Sequence, residues 1–369
     1  MEDSRMRKSV RVPGTTSLAL AALVAASLAG PAVLAAPRDT YHVNALVSDG
    51  SSQTESTDPN LKNAWGIAAT ATSPWWVSAN LTNVSTLYNG AGEAQQLVVQ
   101  ILGSPTGVVA NPGTAFPVTD GTNTGSARFI FATLEGRIVG WNPGVPPNNP
   151  STETFILADR SSVGAVYTGI AAATTVAGDR LYAADFHNAR IDVFDGTNTA
   201  IVVEGAFVDP KLPAGYAPFN VQALNGRIFV AYAKVDPGTG EETKGNGLGV
   251  VDVFDTDGQF VARVGAHGQL NAPWGLAIAP AEFGKYSGNL LVGNFGDGRI
   301  QAFRMSDDMR AFSPAGVLRD DTNKQIVIDG LWGIGFGNGA ASGLPNTLYF
   351  AAGPNDESAG LFGSIVLAP

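Results

Sequence analysis

The sequence has no cysteine. That excludes disulfides, a thiolate nucleophile, cysteine metal ligands and lipid attachment at a cysteine. Histidine is nearly as scarce. His42, His187 and His267 lie far apart, and a three-histidine metal centre would consume the whole supply. Charge is sparse and of one balance: 32 acidic residues against 22 basic ones give a formal charge of -10. A general nucleic-acid surface needs a basic footprint, so nucleic acid is not an expected partner. No Gly-x-Ser-x-Gly elbow, Walker A sequence or dinucleotide-binding glycine signature occurs. The glycine-rich stretch Gly238–Gly249 has one lysine, Lys244, and Gly245 follows it where a phosphate loop requires Ser or Thr.

Long apolar runs are missing too. The stretch from Leu18 to Ala29 is short for a membrane span of ~20 residues, and Gly30-Pro31 interrupts it. Arg5, Arg7, Lys8 and Arg11 precede this stretch, and Val33-Leu34-Ala35 has the small-residue pattern of a signal-peptidase cut. Residues 1–35 are therefore expected to be a removable export signal, with 36–369 as a single domain in the extracellular or periplasmic space. A retained N-terminal anchor is the alternative; after cleavage no stable membrane span is expected. Cleavage removes those four basic residues with Glu2 and Asp3, leaving 18 basic and 30 acidic residues and a charge of -12.

Glycine is plentiful, at 45 residues with 22 prolines, which suits many short strands and turns. A repeat organises them. Gly169-Ile170-Ala171, then Asp179–Asp185, then Asn188–Gly196 align with Pro273-Trp274-Gly275-Leu276-Ala277, then Gly288–Asn294, then Gly298–Phe303. Weaker copies start at Trp65-Gly66-Ile67, Gly107-Val108-Val109, Phe219–Leu224 and Trp332-Gly333-Ile334, making six. Each reads as an inner strand, a second strand, a rim loop and a third strand. The expected fold is all-β: a β-propeller of six four-stranded blades, with five or seven as the alternatives. The last copy has three clear strands, so Tyr41–Val47 is expected to supply its outer strand and close the ring. Asn111–Ser126 and Pro237–Gly249 read as polar insertions, the second one flexible.

Asn188-Ala189-Arg190-Ile191, Gly298-Arg299-Ile300 and the Gly-Ile-Ala or Gly-Leu-Ala inner strands resemble the NHL-type propeller repeat. Across nearly all of residues 36–369 the chain is similar to an uncharacterised family of exported bacterial proteins. The resemblance implies the fold and assigns no catalytic residue. More distantly, the chain resembles calcium-dependent sugar-lactone hydrolases, which hold a metal at one end of the central tunnel.

Three Trp-Gly pairs place Trp65, Trp274 and Trp332 at one end of the axis. They are expected either to form an aromatic rim for a flat ligand, oriented by Asn271 or Asp329, or to pack structurally. His187, two residues after Asp185, is the candidate acid/base, with Asp185 on the same face if the strand continues. Asp185, Asp236, Asn294 and Asp356 are candidate calcium ligands, since calcium takes carboxylate and amide oxygens. The inner-strand entrances and the loops leaving the second strands are expected to lie at different ends of the strands. Two functions stay open: a secreted recognition or scaffold propeller for a small molecule, glycan or protein, and an extracellular calcium-dependent hydrolase, lactonase-like, using His187.

Overall fold

In the sequence Trp75-Trp76-Val77, neighbouring side chains must leave a strand on opposite faces. Trp75 and Val77 enter one apolar cluster and Trp76 another. Both faces of the strand are thus covered, and the same holds for Leu181 and Ala183 against Tyr182 and Ala184. Such sheets need apolar neighbours on both sides, which a closed ring supplies.

The computed structural model describes residues 39–148 and 150–368. The expected export signal, 1–35, lies outside them. The chain is a six-bladed β-propeller built of antiparallel sheets. The inner strands, in blade order, are Ala64–Ala68, Pro105–Ala110, Tyr167–Thr175, Tyr216–Leu224, Pro273–Ile278 and Leu331–Phe336. Five blades have four strands. The sixth runs from Leu331–Phe336 through Leu348–Ala352 and Leu361–Leu367 to Tyr41–Ser48, with the short Ser56–Thr57 added parallel at its edge. Tyr41 pairs with Leu367 and Ala45 with Gly363, so the N-terminal strand closes the last blade. The Tyr41 hydroxyl also donates to Phe283 O in blade 5 at 2.9 Å.

Six apolar clusters occupy the six seams between blades, and a seventh lies on the axis. Near the axis the blades approach backbone to backbone. A Cβ added at Gly66 would lie 2.7 Å from Thr106 O, and one at Gly333 would lie 2.7 Å from Trp65 O. Blades 1, 2, 3, 5 and 6 carry glycine at this position, as Gly66, Gly107, Gly169, Gly275 and Gly333. Blade 4 has Asn220, which donates through Nδ2 to Trp274 O at 2.8 Å and so ties itself to blade 5.

The insertion in blade 2 contains its own hairpin, Pro117–Thr119 paired with Thr124–Ser126. The insertion in blade 4, expected to be flexible, is an ordered turn. Asp236 N donates to Glu241 O, Thr243 N to Lys234 O and Gly247 N to Leu270 O. Gly245 N donates to Asn271 Oδ1 at 2.6 Å. Its glycines and polar residues satisfy their own backbone rather than leaving it to solvent.

Candidate functional site

The position just before the glycine ring carries Trp65, Thr106, Thr168, Phe219, Trp274 and Trp332 in successive blades. All four aromatics meet on the axis with Phe186 and Phe295, which follow second strands. Trp332 is 1% exposed. It stacks between Trp65 and Phe295, with ring centroids 3.8 Å away on each side. Trp274 stands edge-on to both Trp65 and Trp332. Trp274 Nε1 donates to Thr168 O at 2.9 Å, across the ring from blade 5 to blade 3. Trp332 Nε1 donates to Asn63 Oδ1 at 3.2 Å, while Trp65 Nε1 is buried without a hydrogen-bond partner among the described residues. The tryptophans expected at a rim are closed on one another as a plug, because four aromatics at equivalent positions converge where the ring is narrowest.

A polar layer covers this plug. Asn63 is buried, with φ of 47°, and its Nδ2 donates to Glu357 Oε2 at 2.9 Å. Glu357 ends a run of three left-handed residues, Asn355, Asp356 and Glu357, with φ of 57°, 49° and 65°. Side chains other than glycine resist this region, so the run stores strain in the loop that presents Glu357. From the blade 4 insertion, Lys244 Nζ sits 4.2 Å above the Phe295 ring, a cation–π contact. Burial pushes the Glu242 carboxyl up to about 7; the Glu357 charge adds to this and Lys244 offsets it. Burial also raises Glu357, against the lowering effects of its Asn63 bond and of Lys244. Glu242 can therefore hold or release a proton near neutral pH.

The inner-strand entrances and second-strand exits share this end, contrary to the sequence expectation. In an antiparallel pair the second strand finishes beside the start of the first: Tyr167 pairs with Asp185, and Pro273 with Asn294. Asn271 is here, pinning Gly245. Asp329 is exposed and accepts Asn355 N at 2.9 Å.

His187 is exposed, and the Asp185–His187 partnership does not form. Asp185 ends its strand, and the chain turns through Ala189 with φ of 52°, so strand periodicity stops before His187. The Asp185 carboxylate accepts from Val166 N and from Asn188 N and Nδ2, and lies 3.7 Å from Arg190. Asn294 is committed similarly: Nδ2 donates to Gln269 O and Asp297, and Oδ1 accepts from Asn271 N. Asp236 accepts Gly238 N and Thr239 N within its own turn. Asp356 is exposed in the left-handed loop. Asp185, Asp236 and Asp356 do not gather, and among the described residues no group of three or more His, Asp or Glu side chains is arranged to hold a metal. Each oxygen expected for calcium closes or lies in a separate loop, and the set does not fit a shared ion.

At the opposite end the axis opens. A cavity of about 410 Å³ is lined by all six inner strands, including Ile67, Val108, Ala172, Gln222, Leu276 and Phe336. It narrows inward to a throat at Gly66, Gly107, Gly275 and Gly333, beyond which lies the plug. The result is a blind funnel. Of the site residues expected from the sequence only Trp274 reaches it, at the throat, because the rest of its wall is built of ordinary inner-strand residues. Glu242, Lys244 and Glu357 also escaped the sequence reading. The available signal was topological: both the blade 4 insertion and the Asn355–Glu357 loop leave second strands, and those exits converge on the axis.

No family model matches the chain. Two proteins of Acanthamoeba polyphaga mimivirus are similar along most of it. "Uncharacterized protein R648" is 33% identical over 344 residues, covering 88% of this chain and 80% of its own length. "Uncharacterized protein L690" is 32% identical over 340 residues, covering 89% and 86%. Among solved structures, a glucose dehydrogenase aligns with a TM-score of 0.49 and 12% identity, over 89% of this chain and 100% of its own. A streptogramin B lyase aligns with a TM-score of 0.46 and 11% identity, over 89% and 97%.

Proposed function

The chain belongs to the same family as the mimivirus proteins R648 and L690, and we propose that within it this protein is an exported recognition propeller that takes a small amphipathic organic molecule into the axial funnel. The observation that carries this reading is the blind cavity of about 410 Å³, walled by six strands. Binding sites of this kind are concave, mostly apolar and marked by few polar groups. Gln222 is the polar side chain on an inner strand that fixes orientation here. A wall of apolar side chains and exposed strand backbone, already held by the glycine ring, needs no rearrangement to receive a ligand, which keeps the ordering cost of binding low.

Saturation-transfer NMR with neutral probes, cyclohexanol and indole, tests it. Binding of one or both is expected, and Ala172→Phe, which fills the wall, abolishes it. If neither probe binds, or binding survives Ala172→Phe in a folded variant, the funnel is not the site.

Export rests on the sequence pattern of residues 1–35, with the mature chain from 36 as one domain, and the NHL-like, exported bacterial character belongs to the same reading. Among the described residues no helix is long and apolar enough to cross a membrane. N-terminal sequencing of protein recovered outside the cytoplasm should begin at Ala36.

A second reading, hydrolysis at the plugged end, is favoured by Glu242 alone, whose carboxyl burial pushes up to about 7 beside Glu357 and Lys244. On that reading a lactone substrate would be opened with a rate that bends near neutral pH, and Glu242→Gln would remove the bend. Lactone turnover that ignores this substitution excludes it.

A further inference from the structure

A second cavity, away from the axis, has a different chemistry. It measures about 350 Å³ and lies on the flank of blade 3, between the third strand Arg190–Asp195, the outer strand Ala200–Ile201 and the segment leading to blade 4. Ile191, Ile201, Val203 and Phe207 give it apolar walls, and Arg160 and Arg190 bring two guanidinium groups. In a chain with charge -10, two arginines in one small cavity call for an explanation.

Asp192 is one part of it. Arg190 Nε lies 2.8 Å from Asp192 Oδ1, and Arg160 Nε lies 3.8 Å from Asp192 Oδ2. The same Oδ2 accepts the Tyr167 hydroxyl at 2.7 Å. Asp185 approaches Arg190 at 3.7 Å from the interior, already bonded to Asn188. Arg190 is thereby balanced within its own blade. Arg160 is not. Among the described residues its guanidinium makes no side-chain hydrogen bond, and its Nε is buried without a partner. A guanidinium with an open fork is suited to a carboxylate, which can take two parallel N–H donors.

We infer that this cavity is a binding site for a small organic carboxylate with an apolar body, held by Arg160 and steadied by Arg190. The head group takes the terminal Nη donors of Arg160, which make no hydrogen bond among the described residues, while Nε stays turned toward Asp192. The body lies on Ile191, Ile201, Val203 and Phe207, where burial of carbon is favourable. A free inorganic oxyanion would leave those walls wet, and a neutral alcohol would leave the guanidinium unpaired.

Isothermal titration calorimetry of the mature protein with hexanoate, 1-hexanol and inorganic phosphate decides it. With the funnel filled by Ala172→Phe, hexanoate is expected to saturate one site and to bind about tenfold tighter than either of the others. Arg160→Gln should lower hexanoate affinity by about the same factor. Ala200→Trp, which fills the exposed side of the cavity and changes no charge, should block it, and it carries the test if Arg160→Gln does not fold. Hexanoate binding no tighter than hexanol or phosphate, or binding indifferent to folded Arg160→Gln or Ala200→Trp, overturns the assignment.

Discussion

Trp332 is the residue on which the closed end of the axis depends. It stacks on Trp65 and Phe295 and bonds to Asn63, so truncation removes packing on two faces and frees a buried acceptor. Trp332→Ala should cost about 3–5 kcal/mol in chemical denaturation. His187, by contrast, is exposed and unattached to Asp185, and His187→Ala should stay within about 0.5 kcal/mol. Glu242 gives a pH signature. Its folded carboxyl is raised from 4.5 to about 7, so the folded state holds a proton that the unfolded state has released. Stability from this group is therefore full below pH 4.5 and lost as pH rises through about 7. Because the group is only half-buried, the effect is of order 1 kcal/mol after solvent screening. Glu242→Gln should flatten the fall in urea midpoint over that range; an unchanged slope would place the titration elsewhere.

At the level of single elements, the inner strands were legible because their function is steric. Gly66, Gly275 and Gly333 recur beside a Trp, and a Cβ there would press on backbone atoms that cannot move cheaply. Gly66→Ala should destabilise the protein even though strand propensity alone favours alanine over glycine by about 0.5–1 kcal/mol, with Gly258→Ala, at a turn with φ of 79°, as a strained but off-axis comparison. The blade 4 insertion was not legible. Pro237–Gly249 has the composition of a mobile loop, yet its order comes from partners distant in sequence, chiefly Asn271. Asn271→Ala removes the acceptor for Gly245 N and should speed hydrogen exchange at residues 241–247, leaving the blade strands protected. Asp185 and His187 mark the complementary failure: a two-residue spacing implies a shared face only while the strand lasts, and this one ends at Asp185.

At the scale of the whole molecule, ring closure followed from counting strands. Three in the last repeat and one spare at the start have a single tidy solution, and Tyr41–Ser48 adopts it. What the count could not supply was which end of the axis is open. That depends on side-chain volume at one layer of the ring, where Trp65, Phe219, Trp274 and Trp332 face inward together with Phe186 and Phe295. A sequence reading finds the tryptophans but cannot tell a wall from a stopper until their directions are known.

The stopper makes the two mouths of the propeller strangers to each other. Whatever enters the funnel must leave by the door it came in, and nothing diffuses through to the carboxylates behind the aromatic stack. Each face can therefore change its chemistry by mutation without trespassing on the other.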